Sequence, residues 1–173
     1  MSDSENQSVI PVGPHRHIAV TITIHYMTTI HAKNLAKVAP RSPYEKIGGF
    51  AIIARTIDKC RATIAGTNGE YHFDCPVDNL LFSFKGIKGA DFKAYAAKGH
   101  TDAEIAQWVK DNGVPKADGE IKIWSDAFRK DYSYSTDPQK KDWFAGECKR
   151  LGLDPAKTTL FDYLEVDDKA SFK

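Results

Sequence analysis

Between Ser42 and Ala65, apolar residues occupy nearly the whole helical circumference: Ile47, Phe50, Ala51, Ile53, Ala54, Ile57, Cys60, Ala62 and Ile64. A helix that is apolar on every side belongs in the middle of a domain. Ser42-Pro43-Tyr44-Glu45 has the composition of a helix start, with a Ser cap, a Pro in the first turn and a Glu three residues after the cap. Gly66 supplies the stop, and Asn68-Gly69 turns the chain beyond it. The pattern predicts a buried central helix over about 43–65. Gly48-Gly49 near its start costs on the order of 1 kcal/mol per glycine, which points to a close approach of another backbone there.

Shorter helical patterns come next. One opens at Pro76, and a second runs from Ala90 to Ala97 with Phe92 and Tyr95 facing inward. Thr101-Asp102-Ala103-Glu104 is a capping box and starts a third, carrying Ile105, Trp108 and Val109. Asp118 to Lys130 carries Ile121, Trp124 and Phe128, and a helix from Asp137-Pro138 carries Trp143, Phe144, Cys148 and Leu151. Asp154-Pro155 is expected to open the last, short helix, with Leu160, Phe161, Tyr163 and Leu164. Upstream, residues 1–16 are polar and broken by Pro11, Gly13 and Pro14. Ile18, Val20, Ile22, Ile24 and Tyr26 then alternate with smaller or polar residues, the pattern of a β-strand over about 18–26. A lone strand needs a partner, either the stretch near Tyr71-His72-Phe73 or its own copy in a homodimer. The fold class expected is mainly α: one compact multi-helix domain over 27–173 behind an N-terminal extension, 1–26.

Composition narrows the partners. With 42% hydrophobic and 27% charged residues the chain lies well away from disorder. Its net charge of +1 is spread over interleaved signs, as in Lys140-Lys141-Asp142, with no basic stripe. Nucleic acid and an anionic membrane surface are therefore disfavoured as partners. The longest apolar stretch, near Ile47 to Ala54, falls far short of the roughly 18 residues of a membrane span. Met-Ser-Asp-Ser-Glu does not resemble a signal peptide, and a cytoplasmic location is expected. Cys60, Cys75 and Cys148 are odd in number and widely spaced, the usage of reduced thiols rather than a disulfide framework or zinc knuckle.

Four groups of residues could carry chemistry. On the central helix, Arg55, Asp58 and Lys59 share one face and Arg61 is close behind; they form either an anion-binding wall or an ion-pair network in which Asp58 answers Arg55 or Arg61. The segment from Gly69 to Asp78 offers Glu70, His72, Cys75 and Asp78 as acid, base or nucleophile candidates. If that segment is extended, His72 and Cys75 face opposite ways, and it is then a turn packed by Tyr71 and Phe73. His15, His17, His25 and His31 form a third group, readable as a weak metal patch or as incidental histidines; no metal site is assigned. The fourth, Lys130 to Asp137, is a hydroxyl- and tyrosine-rich loop. No nucleotide-binding loop, zinc-protease motif or nucleophile elbow is present.

Pro40-Arg41-Ser42-Pro43-Tyr44-Glu45-Lys46-Ile47-Gly48-Gly49 resembles a bacterial family known only as domain of unknown function 5069. The likeness continues through Ala54 to Ala62, Ala65 to His72, Trp124-Ser125 and Thr159 to Leu164, and covers about Thr28 to Lys173. It implies a helical, soluble bacterial protein and supplies no activity, cofactor or catalytic residue. Two functions are expected from these readings. The first is a binding site for a small anionic ligand between the central helix and the 70–78 segment, with Arg55, Asp58, Lys59 and Arg61 as ligand-binding residues. The second is a non-catalytic interaction module that dimerises through the N-terminal strand. Enzymatic activity, and any cofactor, remain open.

Overall fold

The computed structural model describes residues 32–172. The expected strand over 18–26, the extension 1–26 and His15, His17, His25 and His31 lie outside those residues. Within them the chain is helical, with seven α-helices in the order α1 (Ile53–Ala65), α2 (Asp78–Lys85), α3 (Gly89–Ala96), α4 (Asp102–Asp111), α5 (Asp118–Ala127), α6 (Lys141–Leu151) and α7 (Leu160–Ser171). None of the described helices is long and apolar enough to cross a membrane.

The centre is α1, as its pattern predicts. Every residue from Phe50 to Cys60 is buried, and α1 contacts α2, α3 and α4. Gly66 ends it in the left-handed region at φ 67°, where its N–H and that of Thr67 satisfy the carbonyls of the last turn. Ile64, expected in the core, is 43% exposed, while Ala62 two residues before it is fully buried.

The start of α1 is a correction. It begins at Ile53, not at residue 43. Ser42 does cap, but what it caps is a turn: Ser42 Oγ accepts the Tyr44 N–H at 3.1 Å and Ser42 O accepts the Glu45 N–H at 3.1 Å. The chain then folds back in a bridge between Ile47 and Phe50, with Gly48 and Gly49 at φ 60° and 89°. Backbone with positive φ cannot continue a right-handed helix, and glycine takes it without strain. The close approach suspected at the glycines is real and comes from side chains. A Cβ on Gly48 would sit 3.0 Å from the Ala106 Cβ of α4, and one on Gly49 would sit 3.4 Å from Ile121 Cγ2 of α5. Ser125 Oγ closes the turn, donating to Gly49 O and accepting the Ala51 N–H. Ile52 is also left-handed, at φ 64°, a strained position for a β-branched residue that the surrounding core enforces.

Of the other expected helix starts, the one on α4 holds, whereas α6 begins at Lys141, past Asp137-Pro138, and α2 at Asp78, two residues after Pro76. Thr101 and Glu104 form the expected reciprocal box at the start of α4. The last helix differs from expectation. Asp154-Pro155 makes only a short 3-10 turn, and α7 starts at Leu160 behind a second box formed by Thr159 and Asp162. Helix α7 therefore runs along α6, and its buried Leu160, Phe161 and Tyr163 join the core. It also carries Asp168 to the side of α1.

Candidate functional site

The charges of α1 leave the helix in two directions. On one side Asp58 is bound by Arg41 and Lys33. Arg41 gives it a backbone N–H at 2.8 Å and a guanidinium fork at 2.8–3.1 Å, and Lys33 Nζ is 3.0 Å away. Arg41 also reaches Asp102 of α4 at 2.6 Å, where Arg61 meets it from α1. Arg61 donates a further bond to the His100 carbonyl at 2.9 Å. Burial disfavours the charged form of Arg41, yet Asp58 and Asp102 outweigh it and push its pKa upward. Burial likewise works against ionised Asp102, but the two arginines hold its carboxyl below the usual value of 3.8. This side fastens the 33–41 segment and α4 to α1.

On the other side Arg55 and Lys59, one turn apart, point toward the 69–77 loop and α7. Arg55 is 4% exposed and makes a two-point ion pair with Asp168 at 2.5 and 3.0 Å. Tyr71 donates its hydroxyl to the same carboxylate at 2.8 Å, and its ring lies 5.5 Å from the guanidinium. Burial opposes the Arg55 charge, and Asp168 more than restores it. Burial, helped by Asp168, also keeps the Tyr71 phenol protonated well above its ordinary range. Lys59 Nζ is 2.8 Å from Asp78 Oδ1 and donates to Cys75 Sγ at 3.2 Å. Asp78 is wholly buried at the start of α2; its Oδ1 also accepts the Thr56 hydroxyl, and its Oδ2 has no hydrogen-bond partner.

Above Arg55 and Lys59 lies a cavity of about 500 Å³, reached by Glu70, His72, Cys75 and Asp167. Leu35, Val77, Leu164 and Phe172 supply its apolar walls. Exposure alternates along the 71–77 segment as in an extended chain, with His72, Asp74 and Pro76 outermost. His72 and Cys75 nevertheless line the same cavity, because the backbone turns at Asp74, where φ is 62°.

Of the residues expected to form one site, the structure therefore gathers Arg55, Lys59, Glu70, His72 and Cys75 around one cavity. Asp58 and Arg61 line neither this cavity nor the one next to it. Their partners are Arg41, Lys33 and Asp102, so the expectation that Asp58 answers Arg55 or Arg61 is corrected: the carboxylate that answers Arg55 is Asp168. Asp78 lies beneath the cavity and is sealed off by Lys59, which removes it as an acid or base at the opening. Asp168, Tyr71, Asp167 and Thr56 are the site residues that the sequence did not reveal. Nothing local to Asp167-Asp168 marks which of the two turns inward. No group of three His, Cys, Asp or Glu side chains among the described residues is placed to hold a metal ion.

The fold and the cavity define a class: a small helical domain whose central helix presents two buried cations to a half-open cavity. A family model matches residues 37–170, and the chain belongs to that family, described as domain of unknown function DUF5069. No curated protein matches the chain.

Proposed function

We propose that the protein binds a small carboxylic acid, or another small monoanion, in the cavity above Arg55 and Lys59. One observation carries this reading: two buried cationic side chains on successive turns of the central helix open into a space large enough for a small molecule. Arg55 spends only part of its donor fork on Asp168, and Lys59 retains donor capacity after Asp78 and Cys75. A carboxylate lying across the two completes the set. Because Asp168 and Asp78 already balance both cations, and Glu70 and Asp167 stand nearby, a dianion such as phosphate is disfavoured. Glu70 and His72 stand at the opening, and binding, without catalysis, is the function proposed. The free Cys60, Cys75 and Cys148 support a reducing, cytoplasmic setting.

Ser171→Trp tests the reading. Ser171 is an exposed residue on the cavity wall, so a bulky side chain there is expected to narrow the space while leaving the residues of both ion pairs in place. Benzoate titrated into isotope-labelled protein is expected to shift the backbone amide resonances around Arg55, Lys59 and Cys75. The variant should abolish those shifts while melting close to wild type. Shifts that survive in Ser171→Trp, or an absence of shifts at millimolar benzoate, overturn the proposal. Stronger binding of inorganic phosphate than of benzoate would replace the monoanion with a phosphate ligand.

A further inference from the structure

A second cavity, of about 640 Å³, adjoins the first, and the two share Glu70, His72, Val77 and Leu164 as common wall. Its character is different. It is lined by Tyr134, Trp143 and Tyr163 together with Pro76, Val77 and Leu160, and its charged groups, Glu70 and Lys140, are exposed. These aromatic rings are ordered against one another: Trp143 packs edge-on to Tyr163 at 5.8 Å and to Tyr134 at 6.4 Å. Trp143 is nonetheless 52% exposed, although its neighbour Phe144 on α6 is fully buried. Trp143 therefore offers about half of its surface as an aromatic face at the edge of this concave region. Tyr134 and Tyr163 both have phenols pushed up by burial, so neither offers an anion on this wall.

Resting on the carboxylate reading above, we infer that the ligand is bipartite: its acid group lies on Arg55 and Lys59, and an aromatic or aliphatic body extends over Val77 and Leu164, which line both cavities, to rest against Trp143. The polar donors and the aromatic surface sit on the two sides of one shared wall, an arrangement that neither a compact metabolite such as acetate nor a plain hydrocarbon would use fully. The site thus selects arylalkyl or medium-chain carboxylic acids. The cationic end fixes orientation and the aromatic end supplies most of the buried apolar area. The Tyr134 loop, whose hydroxyl-rich sequence marks it as a functional candidate, enters the site through that one ring.

The test is a titration series at constant acid group, acetate, 3-phenylpropionate and decanoate, monitored by calorimetry and by the part of the tryptophan fluorescence that is lost in Trp143→Ala. Burying one phenyl group should tighten binding roughly tenfold over acetate. Trp143→Ala should lose most of that gain while leaving acetate affinity unchanged, since Trp143 does not line the Arg55 cavity. If 3-phenylpropionate and decanoate bind no better than acetate, while acetate remains sensitive to Ser171→Trp, the bipartite ligand is wrong and the carboxylate site stands. If no member of the series responds to Ser171→Trp, the carboxylate site itself is wrong. A longer-chain gain that survives Trp143→Ala moves the apolar contact elsewhere and overturns the inference.

Discussion

The two sides of α1 use the same kinds of side chain and do different things with them. Toward α4, both carboxylate oxygens of Asp58 are taken, Arg41 is shared between two aspartates, and Arg61 is pinned to Asp102 and a carbonyl. Toward α7, Arg55 and Lys59 are each paired once with a buried carboxylate and then face open space. Charge inside a protein is therefore not one signal. A buried charge walled in by the protein is a fastening, even where one donor goes unmatched as at Arg61 Nε, whereas one with donor capacity left beside a cavity can still receive a partner.

The largest effect expected is on the fastened side. Asp58→Ala strips Arg41 and Lys33 of their common partner and should cost about 3 kcal/mol, read as a lowered denaturation midpoint. The cavity side separates into two cases. Lys59→Met alone leaves the wholly buried Asp78 without a counter-charge and should cost a comparable ~3 kcal/mol. Lys59→Met with Asp78→Leu replaces the pair by apolar groups of similar bulk and should fall within about 1 kcal/mol of wild type, yet lose carboxylate binding. A double variant as unstable as the single one would mean that the pair is structural, like Asp58.

Gly48→Ala should cost about 1–2 kcal/mol in chemical denaturation, because an L side chain there is strained and meets Ala106. That result would locate the entry to α1 at the glycine turn. A variant as stable as wild type would return the start of the helix to the Ser42 cap. The smallest effect is acid sensitivity. Asp102 and Asp162 have folded-state pKa values below 3.8, so the stability they contribute is complete above that pH and is lost as pH falls through the folded values. Asp102→Asn should flatten the acid limb of a stability–pH curve, and an unchanged limb would show that the Arg41–Asp102–Arg61 cluster contributes little.

Local signals were legible where short-range physics decides the outcome. The apolar run through Ile53, Ile57 and Cys60, the Gly66 stop and the Thr101–Glu104 box each needed only neighbouring residues. The Ser42 cap was legible as a cap but not as a turn. The path of the chain after Ser42 depends on positive φ at Gly48 and Gly49 and on Ser125, 76 residues away, bonding to the Gly49 carbonyl. Half of the candidate site could be seen as well, since the charges of α1 and the 70–78 segment are conspicuous. Their partners were not. Asp168 stands 113 residues from Arg55, and only the packing of α7 distinguishes it from Asp167. Tyr163 read as a core aromatic and is one, but Trp143 read the same way, and a sequence does not say which ring of a helix face is left at a cavity's edge.

Whether Arg55 and Lys59 receive a ligand is tested most directly by calorimetry of 3-phenylpropionate against wild type and against the Lys59→Met/Asp78→Leu variant. A ligand seated on those two cations requires measurable binding to wild type and a loss of at least about tenfold in a variant of near-native stability. Equal binding to both proteins would contradict it and place α1's charges, on both sides, among the fastenings of the fold.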